Sequence, residues 1–113
     1  MPTIDHATFE ALQTSAGADF VRDLIDTFLH EAPKMLDDLR SALAAGDATR
    51  FRRAAHSLKS NGNTFGALEF GALAKELELG GIARASEHGG EAMTGLAEEY
   101  TRVAAALREL QGA

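Results

Sequence analysis

Residues 93–110 read MTGLAEEYTRVAAALREL, and in them Met93, Leu96, Tyr100, Val103, Leu107 and Leu110 follow one another at steps of three, four, three, four and three. That alternation brings an apolar side chain back to one side of a 3.6-residue helix at each turn, the pattern of a seam in a helix bundle. The same periodicity runs from Asp19 to Ala45 through Val21, Leu24, Ile25, Phe28, Ala32, Met35, Leu36, Leu39 and Leu43. Two long stripes of this kind require other helices to cover them. Strand material is scarce, with aromatics at only 6% of 113 residues, whereas Ala and Leu, which lose little on entering a helix, are abundant. The fold class expected is all-α.

Working outward from these two segments, the chain divides into five helices. A short one spans about Asp5 to Thr14, with Asp5 placed to cap it and Ser15-Ala16-Gly17 ending it. The long helix from Asp19 to Ala45 contains Pro33, which removes one backbone donor and predicts a bend or a break. Gly46 suits its C-terminus and Asp47 caps the next start. A third helix follows from Ala48 to Asn63, with Gly66 in the turn after it. A fourth carries Leu68, Phe70, Leu73 and Leu77 to about Leu79, and Gly80-Gly81 ends it. Residues 82–90, with Gly89-Gly90, read as a loop. Connections this short favour antiparallel neighbours. The expected architecture is an up-and-down antiparallel four-helix bundle with an additional short N-terminal helix, as one domain over residues 1–113, with no internal repeat or linker.

Composition narrows the function classes. The absence of Cys excludes disulfides, thiolate metal sites and thiol catalysis. No stretch approaches the roughly 20 apolar residues that span a bilayer, and no signal-peptide pattern opens the chain, so a cytoplasmic location and no membrane insertion are expected. A net charge of −6 argues against nucleic-acid binding. The charge is unevenly distributed, however. Between Ala48 and Leu68 stand Arg50, Arg52, Arg53 and Lys59 with no acidic residue, a basic island suited to an acidic partner surface.

That island lies on the third helix. At about 100° per residue, Phe51, Ala54, Ala55, Leu58, Gly62 and Phe65 fall on one arc, the face that packs into a bundle. Arg52, Arg53, Lys59, Ser60 and Asn63 instead lie within about 60° of His56. His56 is thus expected to project outward from the middle of a polar, cationic stripe on a rigid helix. Imidazole is a nucleophile when neutral, nearby cations disfavour its protonated form, and the same cations favour a phosphoryl group during and after its arrival. Lys59, one turn beyond His56, is the best placed of them. Ser60 and Asn63 are small enough to let another protein approach the ring.

At these residues the sequence matches a family pattern. The run Ala55-His56-Ser57-Leu58-Lys59-Ser60, followed by Phe65-Gly66, Leu68, Leu73 and Leu77-Glu78, resembles the signature of the histidine-containing phosphotransfer (HPt) domains of two-component phosphorelays. The strict motif occupies residues 55–78, and the helix layout extends the resemblance over nearly the whole chain. The resemblance implies that His56 is the phosphoacceptor, on its outer ring nitrogen, and that Lys59 supports the phosphoryl group by charge. It implies that Glu78 orients the imidazole through the inner nitrogen, and that Gly66 is the turn glycine between two close helices. Arg52, Arg53, Ser60 and Asn63 are candidate docking residues. One departure is Ser60, at a position where the family most often has Gly.

The function that follows is transfer of a phosphoryl group from a receiver-domain aspartate to His56 and on to another receiver, in a multistep relay. The expected partners are receiver domains of response regulators or of a hybrid sensor histidine kinase. No cofactor of the chain's own is expected, Mg²⁺ belonging to the receiver, and the protein is expected to be a monomeric phosphocarrier without kinase activity. A helical adaptor that binds a partner without phosphotransfer shares every feature except the chemistry of His56. A di-metal carboxylate bundle needs Glu three residues before His, and Thr3, Thr27, Arg53 and Ala85 stand there instead. No phosphate-cradling Gly-Lys loop for nucleotide chemistry is present. His6, His30 and His88 read as solvated side chains, with Asp26 one turn before His30 as its surface partner.

Overall fold

The computed structural model describes residues 2–112, and its helices are α1 (His6–Ala16), α2 (Ala18–Ala45), α3 (Ala48–Thr64), α4 (Leu68–Ser86) and α5 (Glu91–Gly112), with a 3₁₀ turn at Glu87–Gly89. The caps form where the polar residues stand. The Asp5 carboxylate accepts from the backbone N–H of Thr8 at 3.1 Å, and Asp47 accepts from that of Arg50 at 3.1 Å. Each fills donors that a helix start leaves without partners.

The α2, α3, α4 and α5 helices form an up-and-down antiparallel bundle in which each packs on its chain neighbours and α5 closes back on α2. The short α1 lies across α2 and α3 at one end. Phe51, Phe70, Ile25, Leu39, Leu58, Leu77, Leu96 and Leu107 are fully buried at the centre. Burying each such side chain contributes roughly 1.5–3 kcal/mol. Phe28 organises the end of the core near α1, its ring 5.5 Å from Phe65, 6.2 Å from Phe70 and 5.9 Å from Tyr100. Gln111 ties the end of α5 to α2, donating to the backbone oxygen of Arg22 and to Asp26.

Three expectations are corrected here. Of the bend or break expected at Pro33, the break is absent: α2 runs on through it, the ring exposed while Phe28, Ala32 and Leu36 bury the opposite side. Residues 82–86 are helical and not loop. At Gly81 the backbone takes φ 66° and ψ −158°, a conformation that glycine tolerates, and the helix then resumes through Ser86. Third, Asp26 does not partner His30. His30 Nε2 accepts from Lys34 Nζ at 3.2 Å, and Asp26 takes the Gln111 amide instead.

The turn between α3 and α4 packs closely under the start of α1. Gly66 has φ 87°, its carbonyl accepts from the Asp5 N–H at 2.8 Å, and a Cβ there would lie 2.7 Å from the Asp5 carbonyl oxygen. Further along the pair, a Cβ on Gly62 would meet the Phe70 ring at 2.6 Å, and one on Gly71 would meet the Asn63 amide at 2.0 Å. Small residues at these crossings let α3 and α4 approach until side chains on their solvent edges meet.

Candidate functional site

The α3 helix buries the predicted face, with Phe51, Ala54, Ala55, Leu58 and Gly62 all inside, followed by Phe65 in the turn. The opposite arc is left to solvent. The His56 side chain is 59% exposed, near the middle of the helix, and Arg52, Arg53, Ser60 and Asn63 are exposed around it. An open depression is lined by Arg52, Arg53, His56, Ser57 and Glu78. A more apolar groove between α2 and α3 is lined by Leu24, Phe28, Met35 and Phe65 together with Thr27, Glu31, Asn61 and Thr64, but it holds no histidine or arginine, so the imidazole chemistry belongs to the shallower depression.

Glu78 on α4 reaches across to α3 and meets two residues at once. Its Oε2 lies 2.6 Å from His56 Nδ1, and its Oε1 lies 2.8 Å from Lys59 Nζ. The Glu78 side chain is only 14% exposed. Its Oε1 is buried without an aligned hydrogen-bond donor, so the Lys59 contact is an ion pair in character. The Lys59 ammonium holds the Glu78 carboxyl below its ordinary value, against the opposing effect of burial, and His56 adds to the lowering. Glu78 is therefore ionised at neutral pH and acts only as an acceptor. The hydrogen in the contact must sit on Nδ1. In the neutral ring this leaves the lone pair on Nε2, the nitrogen away from Glu78.

With a carboxylate on Nδ1, a lone pair on Nε2 and two arginines beside it, the site is built for attack on an electrophile with anionic oxygens. The family model of the Hpt domain matches residues 23–111. The chain belongs to the Hpt domain family. A solved structure, that of histidine-containing phosphotransfer protein B (HptB) from Pseudomonas aeruginosa PAO1, superposes with a TM-score of 0.88 at 27% sequence identity, covering 98% of this chain and 96% of that one. A search of curated proteins gives no match. Among the described residues of this Hpt domain, no helix is long and apolar enough to cross a membrane.

The residues singled out in the sequence are brought together unevenly. His56, Lys59 and Glu78 form one contact network, and Arg52 and Arg53 flank it. Of the four cations in the basic island, Arg50 is engaged with Asp38 on α2 at 2.9 Å and Lys59 with Glu78, while Arg52 and Arg53 have no ion pair among the described residues. Asn63 is exposed but its amide lies over Gly71, on the α4 side of the stripe. Gly66 sits in the turn after α3, away from the ring, with Asp5 and Thr8 as its neighbours. Sequence reasoning missed the share of Ser57 in the depression, because at about 100° from His56 it falls outside the polar arc. It also missed Gly71, whose only signal was a glycine inside a helical pattern.

Proposed function

We propose that this Hpt domain is the phosphocarrier of a multistep relay, with His56 as the residue that takes the phosphoryl group. The observation that carries the reading is the 2.6 Å contact between His56 Nδ1 and the ionised Glu78, because it leaves the nucleophilic pair on the other nitrogen. The Nε2 lone pair attacks phosphorus in an aspartyl phosphate of a receiver domain. The N–P bond forms as the P–O bond to the aspartate breaks, and the bonding pair leaves on the carboxylate. The proton on Nδ1 stays in place, and the positive charge that the ring acquires faces Glu78. Transfer to a second receiver reverses these steps.

The chain's own residues bind and orient. Arg52 and Arg53 meet acidic groups on the receiver and the phosphoryl oxygens, Ser60 and Asn63 leave room for docking, and Lys59 supplies charge to the same centre. Mg²⁺ belongs to the receiver's acidic pocket. The domain spans residues 1–113, acts in the cytoplasm as a monomer, and has no kinase activity of its own. Incubation with phosphorylated receiver domains tests the reading. Wild type should acquire an acid-labile, alkali-stable phosphoryl group that His56→Gln lacks. A folded protein that takes no label from any receiver would instead be the helical adaptor.

A further inference from the structure

Glu78 stands three residues before the break in α4 at Gly81, in the turn where a helix end is most prone to fray. Leu79 beside it is 75% exposed and gives this turn almost no apolar packing. Yet the His56 contact needs accurate placement, because hydrogen bonds weaken steeply with distance and angle. The segment after the break supplies an anchor. Arg84 Nη2 reaches back to Glu76 Oε2 at 3.5 Å, and Nη1 reaches forward to Glu87 Oε2 at 3.2 Å. The stem of Arg84 lies directly on Gly80, where a Cβ would be 2.3 Å from the Arg84 Cβ and 2.8 Å from its Cγ. One side chain therefore joins both sides of the break and covers the backbone between them. Arg84 lines the cleft between α4 and α5 with Glu76, His88 and Glu91, and takes no part in the depression at His56.

We infer that Arg84 is a positioning residue, a clasp across the α4 break that holds the Glu78 turn in the rotation required for its contact with His56. The kinetic consequence rests on the phosphotransfer reading, but the structural one does not. Without the clasp, the turn carrying Glu76 and Glu78 loses its tie to the segment after the break and rests on the buried Leu77 and on the Glu78 contacts themselves, so Glu78 samples rotations that release Nδ1.

Histidine-ring NMR on ¹⁵N-labelled protein, read beside phosphotransfer rates, tests this with Arg84→Ala, Arg84→Lys and Glu76→Gln. The Ala and Gln variants should keep the aromatic-core signals of Phe28 and Tyr100 while the His56 Nδ1 proton exchanges faster with solvent. The transfer rate should fall about fivefold, the scale of one surface ion-pair network, and Arg84→Lys should recover part of both effects. His56 ring signals identical to wild type in Arg84→Ala would overturn the clasp. Should Arg84→Ala not fold, Glu76→Gln decides by the same signals, since it removes only the near anchor. A wild type that accepts no phosphoryl group would remove the proposed function, and the ring signals would still decide the clasp.

Discussion

Lys59 and His56, one helical turn apart on α3, are held by the two oxygens of a single carboxylate, that of Glu78. The cation is thus not free in the resting site, and its effect on transfer passes through Glu78 as well as through direct charge. Lys59→Ala should keep the fold and slow transfer by about tenfold, combining lost charge near the phosphoryl group with a looser Glu78. Glu78→Gln should be milder than Glu78→Ala, because an amide oxygen still accepts from Nδ1–H. The double variant Lys59→Ala with Glu78→Gln should slow transfer by less than the product of the single effects, the mark of residues sharing one network. Rapid-mixing transfer kinetics check this, and strict multiplicativity would separate the two roles.

The same pairing predicts an acid-side loss of stability. The folded Glu78 carboxyl lies below its ordinary 4.5, so its contribution is fully present above pH 4.5 and is lost as pH falls through the lower folded value. Asp5, lowered by its hydrogen bonds from Thr8, has the same sign, but its window begins below 3.8. Urea unfolding across pH 3 to 6 should show stability falling toward acid in wild type. The part of that fall closest to pH 4.5 should shrink in Lys59→Ala, because removing the cation brings the Glu78 carboxyl back up. An unchanged pH profile in the variant would mean that the pair contributes nothing to folding.

What the sequence made legible was whatever repeats at helical spacing. The seam from Met93 to Leu110, the buried arc of α3 and the capping aspartates all follow from local periodicity and local hydrogen bonding. The outward position of His56 follows from the same arithmetic. The helix after Gly81 was not legible, since Ile82 and Ala85 offer too few apolar positions to outweigh four nearby glycines. The break allowed for at Pro33 does not occur because the packing of Phe28, Ala32 and Leu36 outweighs the lost donor and keeps α2 whole. The Lys59–Glu78 pair spans two helices, and no spacing along the chain encodes which of several carboxylates a lysine will find.

Arg52 and Arg53 are the cations of the basic island with no ion pair among the described residues, so they should steer an acidic partner. Replacing both with Gln should weaken receiver binding by about tenfold at low salt, acting mainly on the association rate. Wild-type affinity should fall as salt rises, and the variant should show a flatter dependence. Arg50→Gln, by contrast, removes the tie to Asp38 and should leave the salt dependence nearly as in wild type. Surface plasmon resonance over a salt series separates these outcomes.

Gly66 supports the last prediction, because its cost and its reach are both fixed by the turn. Alanine there must hold φ near 87°, and its Cβ would stand 2.7 Å from the Asp5 carbonyl oxygen and 3.0 Å from the Thr8 Cβ. Neither neighbour is the loose end of a long side chain. The Asp5 backbone also donates to the Gly66 carbonyl, so relief of the clash requires α1 to move off the bundle end. Gly66→Ala should therefore cost about 2–4 kcal/mol, against about 1 kcal/mol for Asp5→Ala, which removes only the cap. His56 lies ten residues earlier on α3, about 15 Å along its axis, so the folded fraction of Gly66→Ala should still transfer phosphoryl groups at close to the wild-type rate. Urea titrations with parallel transfer assays measure both quantities. A large rate loss in fully folded Gly66→Ala would show instead that the turn sets the distance between His56 and Glu78 from one end of the bundle to the middle.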